Sequence, residues 1–253
     1  MFDFTNQRVL ITGASRGIGR AIARQFAESG AKVAIHYHAN LAAAKETQAM
    51  LPGGPHPLVQ ADMRDAASVQ AMIETAVTQL GGLDILVNNA GIYTEHPLAE
   101  VNYTEWQQQW HDILTTNLIG AANTSYCAAR VMMQQGYGRI VNVSSRGAFR
   151  GEPDAPAYGA SKAGMNAMGQ SLAKYLAPYN IFVGTVAPGF VETDMAADIL
   201  ASEQGAEIRR QSPLNRVATP DEVAYAVLFL AAKETAFMTG AIVDVNGASY
   251  LRT

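Results

Sequence analysis

Short, thoroughly apolar runs alternate with longer stretches of helical period from one end of this chain to the other. No other feature constrains its fold as tightly. Residues 8–12 (RVLIT) read as a buried strand, followed by a glycine turn and a helical stretch over 18–29 that Gly30 stops. Residues 32–37 (KVAIHY) make the next strand. Over 68–80, Val69, Met72, Ile73, Ala76, Val77 and Leu80 recur at helical spacing until Gly81 and Gly82 end them. Strands recur at 83–87, 139–143, 181–186 and 241–245, and long helical stretches cover 105–135 and 158–177. Strands that are apolar throughout are covered on both faces. The expected fold is therefore α/β, a Rossmann-like doubly wound parallel sheet of about seven strands with helices on both sides.

A length of 253 residues admits one large domain or a pair of small ones. Residues 52–57 (PGGPHP) form a turn-rich loop too short to separate domains, so residues 1–253 are expected to be one domain. With 49% of residues hydrophobic and 16% charged, a core is available and disorder is excluded. The net charge of −4 offers no basic footprint for nucleic acid. Cys127 stands alone, which excludes an internal disulfide and a thiolate metal cluster; within a helix rich in small residues it is expected to be buried and inert. Neither a signal peptide nor an apolar run of roughly 18 residues is present, so no membrane partner and a cytoplasmic location are expected.

The polar and glycine-rich clusters fall directly after strands: residues 13–19, 88–91, Ser144 with Ser145, and Pro188 with Gly189. Ligands of open parallel sheets bind outside the carboxyl ends of the strands, so these segments point at one crevice. Gly13, Gly17 and Gly19 stand between a strand and a helix. There glycine permits a tight turn and close approach to a pyrophosphate, whose charge the helix N-terminus stabilises. Tyr158 and Lys162, four residues apart, share one face of a helix. A nearby ammonium favours the phenolate and would lower the tyrosine pKa from about 10 toward working pH.

These segments, TGASRGIG (12–19), NNAG (88–91), Asn117 in TTNLIG, residues 144–162, PGFVETDM (188–195), residues 213–231 and TGAIVDVNGA (239–248), resemble the short-chain dehydrogenase/reductase family over essentially the whole chain. The nearest look is to 3-oxoacyl-(acyl-carrier-protein) reductases. The resemblance implies an oxidoreductase moving a hydride between a nicotinamide and a carbonyl or secondary alcohol, in the first place NADPH-dependent ketone reduction. An alcohol, sugar or steroid dehydrogenase is the alternative. A dinucleotide-binding regulator without catalysis is the third, and the intact catalytic positions speak against it. Those positions are Asn117, Ser145, Tyr158 and Lys162. Ser145 would polarise the carbonyl, Tyr158 supply the proton, Lys162 tune Tyr158 and bond the ribose, and Asn117 hold a water-linked relay. Ser144 competes with Ser145 but is placed as a structural hydrogen-bonder.

For the cofactor, the resemblance implies contacts from Gly13, Ser15, Arg16, Gly17, Ile18, Gly19 and Tyr37, with Asp62 and the Met63 backbone at the adenine. Asn89, Ala90 and Gly91 would line the adenosine side, Tyr158 and Lys162 the ribose, and Pro188, Gly189, Val191 and Thr193 the nicotinamide. Family NAD enzymes carry Asp where this chain has Tyr37. With Arg16 in the glycine loop to meet a 2′-phosphate, NADP(H) is favoured over NAD(H). His36 and His38 share a strand face but lack a third ligand, so they are placed as edge or surface residues and no metal is expected.

Two departures bear on the substrate. Carrier-protein reductases often carry basic residues where this chain has Gln134, Gln135, Gly136 and Tyr179, and the family's glycine pair is Gly247-Ala248 here, expected to alter packing slightly. Residues 195–210 read as a helical lid, and the long helices suit a homo-oligomer, by resemblance a tetramer. Arg146 and Arg150, which the family does not require, are either solvated loop charges or contacts for an anionic ketone.

Overall fold

The computed structural model describes residues 2–193 and 196–252. Its sheet joins β1 (Arg8–Ile11), β2 (Lys32–Tyr37), β3 (Leu58–Gln60), β4 (Ile85–Asn88), β5 (Gly138–Val143), β6 (Ile181–Pro188) and β7 (Ile242–Val245) in the order β3-β2-β1-β4-β5-β6-β7. Every neighbouring pair is parallel. The chain builds outward from β1 to β3, then returns to the other side of β1 with β4. The order therefore switches between β1 and β4, and the crevice lies beyond their carboxyl ends.

The helices are α1 (Gly17–Glu28), α2 (Leu41–Met50), α3 (Ala66–Leu80), α4 (Tyr103–Leu114), α5 (Gly120–Gln135), α6 (Gly147–Arg150), α7 (Pro156–Leu176), α8 (Ala197–Ala201), α9 (Gln204–Arg210) and α10 (Pro220–Ala231). One sheet face is covered by α1 and α10, which bring Ile22, Phe26, Val223 and Val227 against Val9, Ile11 and Val141. The other is covered by α3, α5 and α7, with Val69, Met72, Ile73, Met132 and Leu176 against Leu10, Leu86 and Ile140. Each large side chain fully removed from water here contributes about 1.5–3 kcal/mol.

The expected strands and the 68–80 helix are present, the latter ended by Gly81 in the left-handed region (φ 81°). The expected helix over 105–135 is divided: a π-helical turn at Thr115–Ile119 separates α4 from α5. The segment expected as one helical lid is two short helices, α8 and α9, and Met195 at its start lies outside the described residues. Among the described residues, no helix is long and apolar enough to cross a membrane.

Candidate active site

The glycine loop is shaped by contacts that leave no room for side chains. Gly13 has φ 65°, and a Cβ there would meet Ala90 Cα at 2.9 Å. A Cβ on Gly19 would fall onto the Gly13 carbonyl. Behind the loop, the Asn89 amide donates to the carbonyls of Thr12 (2.9 Å) and Gly13 (3.1 Å), and Thr12 Oγ1 accepts from the N–H groups of Asn89 and Ala90. Gly17 packs on Thr193, at 3.4 Å from a built Cβ to Cγ2, which brings the loop against the segment after β6. Helix α1 starts at extended Arg16 with no side-chain cap, whereas Asn40, Asp65, Asn102 and Thr219 cap α2, α3, α4 and α10. Its first amides are thus left for an anion, and a dinucleotide pyrophosphate fits them.

One loop-shaping residue is misjudged by sequence. His36 is no surface histidine: it is 1% exposed. Its Nδ1 accepts the Gly13 N–H at 2.9 Å, so Nε2 carries the proton and donates to the Ala61 carbonyl at 3.2 Å. Burial pushes its pKa down to about 4, and the neutral ring bridges the glycine loop to the residue before Asp62. Tyr37 also departs from expectation. Its ring, 9% exposed, belongs to the core beneath α1 rather than to an open strand end. His38 is the exposed side chain there, with Nε2 3.6 Å from Asp62 Oδ2. Arg64 holds the Asp62 carboxylate at 2.8 Å and keeps its pKa near 2, while Met63 is buried. Arg16 is exposed, Ser15 and Ile18 half-buried, and the Ser15 carbonyl accepts from Arg20 and Thr47.

Beyond β4 and β5, Asn117, Ser145, Tyr158 and Lys162 come together. The Asn117 side chain, fully buried in the π-turn, accepts from the Ile92 N–H (2.8 Å) and donates to the Ile92 carbonyl (3.0 Å) and Ser161 Oγ (3.2 Å). A Cβ on Gly91 would stand 3.3 Å from Asn117 Oδ1 and 3.5 Å from Lys162 Nζ, so the three residues share one wall. Ser145 Oγ accepts from the Gly147 N–H at 3.0 Å and reaches the Tyr158 phenol. Ser144 is structural, as expected, donating to the Lys162 carbonyl at 3.3 Å.

The ionisation of this group differs from the expected one. Lys162 Nζ donates to the Val143 carbonyl at 2.8 Å and lies 5.7 Å from the Tyr158 ring centre. Burial outweighs the lowering bond from Ser145 and pushes Tyr158 up to about 12. Burial likewise pushes Lys162 down to about 8. Tyr93, which carries no sequence signal, sets its ring edge-on to Tyr158 at 5.1 Å.

The residues expected at the nicotinamide lie at the end of β6 and just after it. The Gly189 N–H donates to the Val245 carbonyl, Val191 is buried in a bridge to Ala218, and Thr193 faces Gly17. Arg146 is not a loop charge in solvent but 3% exposed, bonded to Ser249 and Gln211, while Arg150 pairs with Glu152 at 3.4 Å. Both guanidiniums thus already have partners, which removes the simple case for an anion contact. Ala248 does more than alter packing: its φ of 59° puts an L-residue in the left-handed region. Cys127 is half-buried and its thiol is pushed up by burial, which keeps it protonated and unreactive.

Residues 13–248 match a family described as enoyl-(acyl carrier protein) reductase. A 3-oxoacyl-(acyl-carrier-protein) reductase of Staphylococcus aureus is 39% identical over 244 residues, 96% of this chain and 97% of that protein. One from Escherichia coli is 37% identical over 249 residues, 98% of this chain and 99% of that protein. Among solved structures, a putative short-chain alcohol dehydrogenase from Sinorhizobium meliloti superposes with a TM-score of 0.91 at 35% identity, covering 98% of both chains.

Proposed function

The chain belongs to the short-chain dehydrogenase/reductase family of oxidoreductases, and we propose that it is an NADPH-dependent ketone reductase of the 3-oxoacyl type. The observation that carries this reading is the meeting of Ser145, Tyr158, Lys162 and Asn117 beside the uncapped start of α1. The chain acts in this reading as one functional domain, which the continuous seven-stranded sheet supports.

The bound cofactor supplies a hydride to the carbonyl carbon, and everything else falls to the protein. The loop from Gly13 to Gly19 would hold the pyrophosphate, Asp62 and Met63 the adenine, and Pro188 to Thr193 the nicotinamide side. The Ser145 hydroxyl donates to the carbonyl oxygen and draws charge onto it. The Tyr158 phenol, pushed up to about 12, keeps its proton at neutral pH and delivers it as the alkoxide develops. A phenol that holds its proton is the acid that ketone reduction needs. Lys162, charged below about 8, stabilises the phenolate left behind.

NADPH is preferred in this reading because β2 ends in Tyr37, followed by His38, with no acid, Arg64 engages Asp62 after β3, and Arg16 is exposed at the start of α1. A free ketone is preferred over a carrier-bound one, since Gln135 commits its amide to the Leu83 backbone and Tyr179 lies tilted against Tyr175 where basic residues would dock a carrier protein. A homo-oligomer is supported by the exposed side chains of Tyr103, Ile119 and Tyr126 along α4 and α5.

Tyr158→Phe tests the reading. It removes the proton donor and keeps the ring, so kcat for ketone reduction is expected to fall by about 10²–10⁴ while NADPH binding is largely unchanged. Turnover close to that of the unaltered protein would refute the assignment.

A further inference from the structure

Arg146, directly after Ser145, is a buried cation that meets no carboxylate among the described residues. Its Nη1 donates to Ser249 Oγ at 2.5 Å and its Nη2 to Gln211 Oε1 at 2.6 Å. Its backbone N–H donates to the Pro188 carbonyl at 2.8 Å, and the guanidinium lies 5.1 Å from the Phe190 ring centre. One side chain thus joins the loop after β5, the exit of β6, the residue after α9 and the C-terminal segment. Burial lowers its pKa to about 10, which leaves it charged at neutral pH. Burying a charge without a counter-ion costs stability, so packing alone does not account for an arginine here.

A second observation concerns the segment it holds. Gly247 and Ala248 both adopt left-handed backbone, with φ 57° and 59°, immediately before Ser249. The Gly247 carbonyl accepts from Ser212 Oγ at 2.6 Å, one residue beyond Gln211. Backbone strain of this kind persists where the surroundings over-determine the chain, and here Arg146 and Ser212 do so from two sides.

We propose that Arg146 is a positioning residue that clamps the C-terminal segment and the end of α9 onto the loop carrying Ser145, holding those segments and the carbonyl-binding hydroxyl in one register. This rests on the reading of Ser145 as the donor to the carbonyl. An engaged guanidinium fixes geometry for any substrate, whereas a guanidinium awaiting a substrate anion would act on charged substrates alone.

The experiment compares a keto acid with its methyl ester in the full-length protein and in Arg146→Met, which keeps the bulk and removes the charge and both bonds. Removing the buried charge offsets the loss of the bonds to Ser249 and Gln211, so the Tm is expected to stay within a few degrees of that of the unaltered protein. NADPH binding is expected to be unchanged. The value of kcat/KM should fall roughly ten- to hundred-fold for acid and ester alike, chiefly through KM. Arg146→Lys should fall with it, since an ammonium cannot span both acceptors. Should Arg146→Met not fold, the double variant Ser249→Ala with Gln211→Ala carries the same expectation. A loss confined to the acid would overturn the proposal and make Arg146 the substrate's counter-ion. So would unchanged kcat/KM for both substrates, or a loss that only follows a lowered Tm. Failure of the underlying reading would show separately, as turnover surviving in Ser145→Ala.

Discussion

Burial acts on Tyr158 and Lys162 in opposite directions, because one is neutral and the other charged in its protonated form. Desolvation favours the neutral form of each, raising the phenol to about 12 and lowering the ammonium to about 8. At neutral pH both protons are in place for reduction. As pH rises through about 8, Lys162 is the first to lose its proton, and the phenolate loses its stabilising charge. The pH profile of kcat/KM is therefore expected to show an alkaline limb near pH 8, and Lys162→Arg should shift that limb upward while Tyr158 still holds its proton. A profile flat to about pH 10 would contradict the assignment. A second residue-scale expectation concerns Ala248, whose φ of 59° disfavours any side chain. Ala248→Gly relieves that strain at the cost of a freer unfolded chain, and a net gain of about 0.5–1 kcal/mol is expected in denaturant unfolding.

At the scale of elements, α7 presents the proton donor yet begins at Ala155 without a side-chain cap from its own flank. The cap comes from the loop after β4. His96, fully buried, accepts the Ala157 N–H on Nε2 at 3.3 Å, and its Nδ1–H donates to the Thr94 carbonyl at 2.8 Å. Its backbone N–H donates to the Asp154 carbonyl at 2.7 Å, and Trp106 packs edge-on at 5.6 Å. His96→Leu is expected to cost about 0.5–2 kcal/mol in thermal unfolding, as lost caps do, and to lower kcat by loosening the first turn that carries Tyr158. His96→Gln, which restores an acceptor, should recover some of each loss; equal damage from both variants would mean that ring packing, not the cap, matters. Elements of strong period were legible in the sequence; of the residues that meet around Tyr158, spacing gave only Lys162 on the same helix face, and Asn117 and Ser145 were legible through the family resemblance. The three-residue β3 was not, since Leu58, Val59 and Gln60 follow a proline-rich turn and are too short for alternation to register. The π-turn at Thr115–Ile119 has no compositional mark either. His36, His96 and Tyr93 escaped because their roles come from residues distant in the chain: Gly13 and Ala61, Ala157, and Tyr158.

The whole molecule places its proposed cofactor contacts across the switch point, on loops after β1, β3, β4 and β6, so that binding ties together both halves of the sheet. A ligand that binds only the folded chain raises its stability by RT ln(1 + [L]/Kd), about 2.7 kcal/mol at about a hundred times Kd. For a chain of this length each kcal/mol moves the Tm by about 2–4 °C, so saturating NADPH is expected to raise it by about 5–10 °C. NADH at the same concentration should give a smaller shift, because the exposed guanidinium of Arg16 has a 2′-phosphate to meet only in NADPH. Arg16→Ala removes that partner without touching the buried core, so the NADPH shift should shrink toward the NADH value while the unliganded Tm stays where it was. Tyr37→Asp is a poorer probe of the same preference, since a carboxylate at a 9% exposed core position would cost folding before it altered selection. Equal shifts from NADPH and NADH in the unaltered protein would place the discrimination away from Arg16. An equal loss of both shifts in Arg16→Ala would instead make that side chain a holder of the pyrophosphate common to the two cofactors.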